Sequence, residues 1–268
     1  MSSFDDSRES IPLPPPLPSP VKTDEKKKTN DAIINNFLPY EGFAWASPHL
    51  ELQRACYFSH VAINERPKEC RYKHFEGILQ EGPTCGFVAL SMLFNMQITA
   101  KDLFAQGVSN GFTINGEMFC ANNLLLILRS NQKFLSPNAE TFLYNGSLNS
   151  EKIKSELRNG SILLVPYDAD VNHSPAMLKG HKAHWALIVG YLITQDDKFY
   201  VFARHGKSKY LALWSLESLS NSNSGLTEFA KPKKYENQEF LLPEGGIVVG
   251  LCEKSIVIRG VDNKEVVL

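Results

Sequence analysis

Residues 85–97 constrain the fold of this chain more than any other stretch. CGFVALSMLFNMQ places Phe87, Leu90, Met92, Leu93, Phe94 and Met96 around almost the whole circumference of a helix. A helix with no polar side cannot lie on a surface, so other elements have to wrap it. The spacing predicts further helices at 99–107 (TAKDLFAQG), 119–131 (FCANNLLLILRSN) and 148–158 (LNSEKIKSELR), and a short one upstream in NDAIINNFLPY, stopped by Pro39. ELQRACYFSHVA (51–62) reads as a strand. Beyond residue 160 the period changes. SILLVPY (161–167), HWALIVGYL (184–192), KFYVFAR (198–204), YLALWSL (210–216) and GGIVVGLC (245–252) are short apolar runs parted by Gly, Asp and Asn, the pattern of buried strands. Helices followed by strands, with no internal repeat, predict an α+β domain rather than alternating βαβ units.

Residues 1–30 are a different kind of polymer. Six of the 15 prolines (Pro12, Pro14, Pro15, Pro16, Pro18 and Pro20) fall in IPLPPPLPSP, residues 11–20. Successive prolines fix φ and favour a polyproline II rod, and the charged flanks hold no aromatic residue besides Phe4. We expect residues 1–30 to form a disordered tail, either a solubilising spacer or a segment that docks in an aromatic-lined groove, and residues 31–268 to form one folded domain. A formal net charge of −1 gives no electrostatic footprint for nucleic acid or an acidic membrane. No apolar run approaches the roughly 20 residues that span a bilayer. MSSFDDSRES lacks the basic-then-apolar opening of a secretory signal. Five cysteines, an odd and scattered set without a CxxC pair, predict free thiols and a cytoplasmic setting.

One of those cysteines has a reason to stay free. In Gln80-Glu81-Gly82-Pro83-Thr84-Cys85-Gly86, Gly82 and Pro83 end any preceding element and the buried helix starts at Cys85. A cysteine there faces unpaired N–H groups and the positive end of the helix dipole, both of which favour the nucleophilic thiolate. Gly86 would let the backbone approach a substrate closely. In Gly180-His181-Lys182-Ala183-His184-Trp185, His184 joins directly to a core strand and is held as a general base must be; His181 is the weaker choice. Gln80 can donate its amide to an oxyanion beside the Cys85 N–H. Taken singly, the thiol reads as a small core residue and the histidine as a satisfied strand-edge residue. Together they form the helix-borne cysteine and strand-borne histidine of papain-like cysteine proteases.

LQEGPTCGFVAL together with GHKAHWALIVGY resembles the actin maturation protease family, a papain-like group also described as actin aminopeptidases, over most of residues 40–255. The resemblance implies a papain-like cysteine peptidase fold, N-terminal helices packed on an antiparallel sheet, and removal of the acetylated N-terminal Met or Cys from newly made actin. It assigns Cys85 as nucleophile, His184 as base and Gln80 as oxyanion donor, with no metal or organic cofactor. Actin is then the partner, and residues 11–20 are offered to profilin. Another Cys–His peptidase, an acyltransferase, or a non-catalytic proline-rich adaptor are the alternatives.

Papain-like enzymes orient the histidine with an Asn or Asp at the end of the next strand. Here KFYVFAR runs into Arg204-His205-Gly206-Lys207-Ser208-Lys209, which leaves His205, a water or a backbone carbonyl for that task. Arg204, Lys207 and Lys209 would suit an acidic substrate if their strand borders the cleft. HKAH (181–184) lacks the glutamate of a zinc-binding HExxH helix. His173 reads as a residue of a solvated polar loop that could line a pocket, Gly245-Gly246 as a turn, and the run Lys231 to Lys234 as a solvated loop. Cys56, Cys70, Cys120 and Cys252 read as core or incidental thiols. What would confine cleavage to the N-terminus is sought in the loops at 105–118 and 168–182.

Overall fold

The computed structural model describes residues 42–231 and 236–268. The predicted tail 1–30, its proline-rich segment, the short helix ending at Pro39 and, from the run Lys231 to Lys234, all but Lys231 lie outside them.

A 3-10 turn at Ala44–Ala46 leads into α1 (Leu50–Ser59), where the sequence predicted a strand. Leu52, Gln53, Ala55 and Cys56 are buried while Leu50, Tyr57 and Phe58 face outward, a helical spacing. Val61, the one β-branched residue of the predicted strand, falls after the left-handed cap at His60. α2 (Cys85–Leu93) is the apolar helix, with all nine residues buried, and it stops before Asn95 and Met96, which are left-handed. α3 (Ala100–Ser109), α4 (Ala121–Ser130) and α5 (Glu151–Arg158) lie where predicted. Thr99 and Ser150 cap α3 and α5 by accepting the N–H of Asp102 and Ile153.

The strands are β1 (Glu69–Lys73), β2 (Glu140–Asn145), β3 (Ile162–Ala169), β4 (Pro175–Ala176), β5 (Ala183–Ile193), β6 (Phe199–His205), β7 (Ala212–Ser215), β8 (Lys254–Arg259) and β9 (Glu265–Val267). They form one sheet in the order β2-β8-β3-β5-β1-β9, with β4 on β3, β6 on β5 and β7 on β6, and every ladder is antiparallel. An α+β fold with an antiparallel sheet is what the chain adopts. The run at 245–252 is not a strand. Gly245 and Gly246 make the expected left-handed turn, and α7 (Gly246–Gly250) follows. Ile247 and Leu251 are buried while Val248 and Val249 are exposed, a four-residue spacing that only a helix satisfies. α6 (Leu216–Ser224) takes over where the predicted 210–216 strand ends.

The apolar runs of β3 and β5 are continuous because both faces of the sheet are covered. Ile162, Leu164, Trp185, Leu187 and Ile256 point into a core shared with α2, α3 and α4. Their neighbours Leu163, Val165, Tyr167, Ala186 and Ile188 point the other way, against Leu157, Trp214, Leu216 and Leu219. β5 is the hub: β3 pairs with residues 183–188, β1 with 190–193, and β6 with 186–193 across a bulge at Ile188/Gly190. At Gly190 a Cβ would lie 2.2 Å from the Arg71 carbonyl oxygen, so only glycine lets β1 come that close. The start of β5, the ends of β3 and β6, and the N-terminus of α2 all meet at one place. There lies the cleft.

Candidate active site

The cleft is about 430 Å³ and brings together Gln80, Cys85 and His184, the three residues singled out from the sequence. Cys85 opens α2. Thr84 precedes it without capping the helix, its hydroxyl donating to the Glu81 carbonyl instead (2.7 Å), so no side chain competes for the first N–H groups. The Cβ direction of Gly86 is filled by protein. A Cβ there would press on Met118 (3.2 Å) and the Trp185 indole (3.4 Å), so its absence lets the 113–118 loop and β5 close on the helix start.

The thiol is less activated than its helix position suggested. Burial pushes the Cys85 thiol up, while the backbone N–H of Trp185, the Lys207 ammonium and the N–H groups of Gly86 and Cys85 pull it back. Burial also drives the His184 imidazole well below its ordinary range, aided by His205, Lys207 and His173. Burial thus holds both groups towards their neutral forms.

His184 is 6% exposed, and its ring meets Tyr167 edge-on, with centroids 5.6 Å apart. Strand pairing places Tyr167 directly opposite it. Nε2 is buried without a hydrogen-bond partner, and the residue lines the cleft. His205 lies at the end of β6, its ring 6.3 Å from that of His184 and tilted against Trp214 at 5.5 Å; its Nδ1 is likewise buried and unpartnered. Burial first, then His173, Lys207 and Arg204, pushes the His205 imidazole down to about 4. His173 is not a plain loop residue. It lines the cleft with its ring 6.1 Å from His205, and the Tyr167 hydroxyl donates to its carbonyl at 2.9 Å.

Gln80 reaches the cleft through its own N–H, which donates to the Gly206 carbonyl at 2.7 Å. Its Nε2 donates to the Gly82 carbonyl (2.7 Å) and its Oε1 is buried without a partner, so one amide hydrogen is already in use. His181 lies apart from the cleft and pairs with Glu228. Of the three basic residues, only Lys207 borders the cleft. Arg204 is 1% exposed, ion-paired with Glu51 and donating to the Lys209 carbonyl, so it cannot meet a substrate. Lys182 is a second cation at the rim.

Two carboxylates of this region escaped the sequence reading. Asp168 is fully buried and accepts the N–H groups of Leu178 (2.9 Å), Gly180 (2.6 Å) and Lys182 (2.8 Å), fixing the loop that delivers His184. The signal was an aspartate in the otherwise apolar strand ILLVPYDA. Glu117, at the cleft wall, had no comparable signal. The five cysteines are all free; Cys56 and Cys70 are buried and Cys120 and Cys252 half-buried.

A thiol at a helix N-terminus and an imidazole at a strand start, sharing one cleft of an α+β fold, can support thiol–imidazole acyl transfer. The family described as "Actin maturation protease-like, C-terminal domain" matches residues 75–192, a span holding Gln80, Cys85 and His184. A Drosophila melanogaster protein named "Actin maturation protease" is 46% identical over 238 residues, covering 88% of each chain. The Xenopus tropicalis protein of that name is 30% identical over 226 residues (71% of this chain, 73% of the relative), and the human one 29% over 229 residues (69% and 64%). This chain belongs to the actin maturation protease family.

Proposed function

We propose that this chain is a cysteine-type aminopeptidase, papain-like in its fold, that removes the acetylated N-terminal Met or Cys from immature actin. The observation that carries the reading is the meeting of Cys85, His184 and Gln80 in one cleft, within a chain alike over 88% of its length to a protein named for actin maturation. His184 takes the Cys85 proton as the sulfur attacks the carbonyl carbon of the first residue. Gln80 and the Cys85 N–H hold the resulting oxyanion. The imidazolium then protonates the leaving amine of the shortened chain, which leaves the first residue as a thioester. His184 next deprotonates a water that attacks the thioester, and the acyl amino acid departs as the thiol is restored. His205, its ring 6.3 Å from that of His184, is the positioning residue. Lys207 and Lys182 at the rim favour acidic residues on the primed side of the substrate.

The activity is placed in the cytoplasm, in keeping with five unpaired thiols. Among the described residues no helix is long and apolar enough to cross a membrane. Residues 11–20 recruit profilin and with it actin, which raises the effective substrate concentration; a peptide of residues 8–22 that fails to bind profilin would remove this part. Mass spectrometry of immature actin incubated with wild type or with Cys85→Ala tests the whole reading. Wild type should shorten the N-terminus by one acylated residue and the variant should leave it intact.

A further inference from the structure

Glu117 is a buried carboxylate at the cleft wall that the chemistry above does not use. Its Oε1 accepts the N–H groups of Ile114 and Leu241 (both 3.2 Å), and its Oε2 that of Asn115 (2.8 Å). Ile114 and Asn115 belong to its own loop, whereas Leu241 lies 124 residues further along the chain. Asn115 adds a second tie, its Nδ2 donating to the Glu239 carbonyl at 2.6 Å. Residues 239–241 lie in no helix or strand, so no ladder of their own holds them. These ties seat them against the 113–118 loop, and Phe240 thereby lines the cleft beside Phe119. Phe119, Phe229 and Phe240 form one cluster, with ring centroids 5.2, 6.3 and 5.6 Å apart. The same loop is anchored to the catalytic elements. Trp185 Nε1 donates to the Met118 carbonyl at 2.8 Å, and Met118 packs on Gly86. The wall is therefore tied to the strand that carries His184 and to the helix that starts at Cys85.

We propose that Glu117 is a positioning residue that seats Phe240 as the end wall of the cleft, and that this wall limits the substrate to one capped residue ahead of the scissile bond. The proposal rests on the aminopeptidase reading. A cleft that runs through to solvent admits a chain on both sides of the cut, whereas one that ends admits only a terminus. The wall is made by two segments remote in sequence, and Glu117 is where they are joined.

Two peptides test it: an acidic peptide with an acetylated N-terminal Met, and the same peptide with two residues added ahead of that Met. Wild type should cut the first and leave the second intact. Phe240→Ala removes the wall; Glu117→Gln keeps one acceptor oxygen but turns an amide donor towards backbone N–H groups. Both should cut the extended peptide, raising its kcat/KM relative to the short one by about tenfold or more. A purely structural role would lower both rates together and leave that ratio unmoved. Phe240→Ala that still rejects the extended peptide overturns the wall. Gain in Phe240→Ala without gain in a folded Glu117→Gln overturns the part given to Glu117, and melting curves establish folding. Wild type cutting both peptides after that Met overturns the wall and the restriction to a terminus while leaving the Cys–His chemistry in place; wild type cutting neither overturns the peptidase reading and this proposal with it.

Discussion

On one flank of the cleft, Gln80, Gly82, Pro83 and Cys85 come from a single stretch of chain. On the other, His173 and His184, with His205 packed beside both, come from a loop and two strands that only sheet pairing brings together. The flanks also differ in what holds them. The sulfur is held by the backbone N–H groups of Trp185, Gly86 and Cys85 itself, which no side-chain replacement short of proline deletes. The imidazoles depend on Tyr167, Trp214 and Asp168, each of which a single substitution removes. The thiol flank should therefore fail chemically while staying folded, and the imidazole flank should fail by losing its shape.

The largest expected effect is on the thiol flank. Cys85→Ser should lower kcat/KM by about 10³-fold or more with an unchanged circular dichroism spectrum; substantial remaining cleavage would break the contrast. Asp168→Ala should do the reverse, costing about 3 kcal/mol in urea unfolding because three backbone N–H groups lose their acceptor. Asp168→Asn, which keeps one acceptor oxygen, should cost less, and equal losses would show that the loop is held by something else.

The imidazole flank should also be the acid-labile one. His205 sits at about 4 in the folded protein, below the ordinary histidine value. The unfolded chain takes up a proton near pH 6.5 that the folded one refuses, so stability is full above that pH and falls as the pH drops towards 4. The loss should be on the order of 3 kcal/mol. His205→Phe should flatten that slope in denaturation measured at pH 7, 6, 5 and 4, and an unchanged slope would assign the lability elsewhere. The smallest effect belongs to the exposed rim. Lys207→Met should slow cleavage of an acidic peptide by about two- to fivefold and leave a neutral peptide unaffected. Equal losses on both would move Lys207 from recognition to the chemistry of the pair.

The same contrast explains what could be read in advance. The EGPTCG stretch announces a helix start, a breaker and a thiol within a few residues, and α2 begins at Cys85 as predicted. The β5 run gave the position of His184, because continuous apolar runs mark strands buried on both faces. Two assignments failed for lack of context. Residues 51–62 and 245–252 are short apolar runs without a decisive period, and packing turned both into helical segments. The effect of burial on the thiol was also invisible, since a helix N-terminus can be read from sequence and the depth at which it is covered cannot.

The sequence by itself determined the residues that local order defines: a thiol at the head of an apolar helix, a histidine at the head of a core strand, and a glutamine near enough along the chain to reach them. Tertiary structure alone decided which groups surround them. It set His205 and Tyr167 against His184 through strand register, gave Asp168 to the loop ahead of it, removed Arg204 into an ion pair with Glu51, and joined Leu241 to Glu117 across 124 residues. The physical reason is range. Helix starts, breakers and apolar periods act within a few residues, whereas register, burial and carboxylate clamps are fixed only once distant segments have packed.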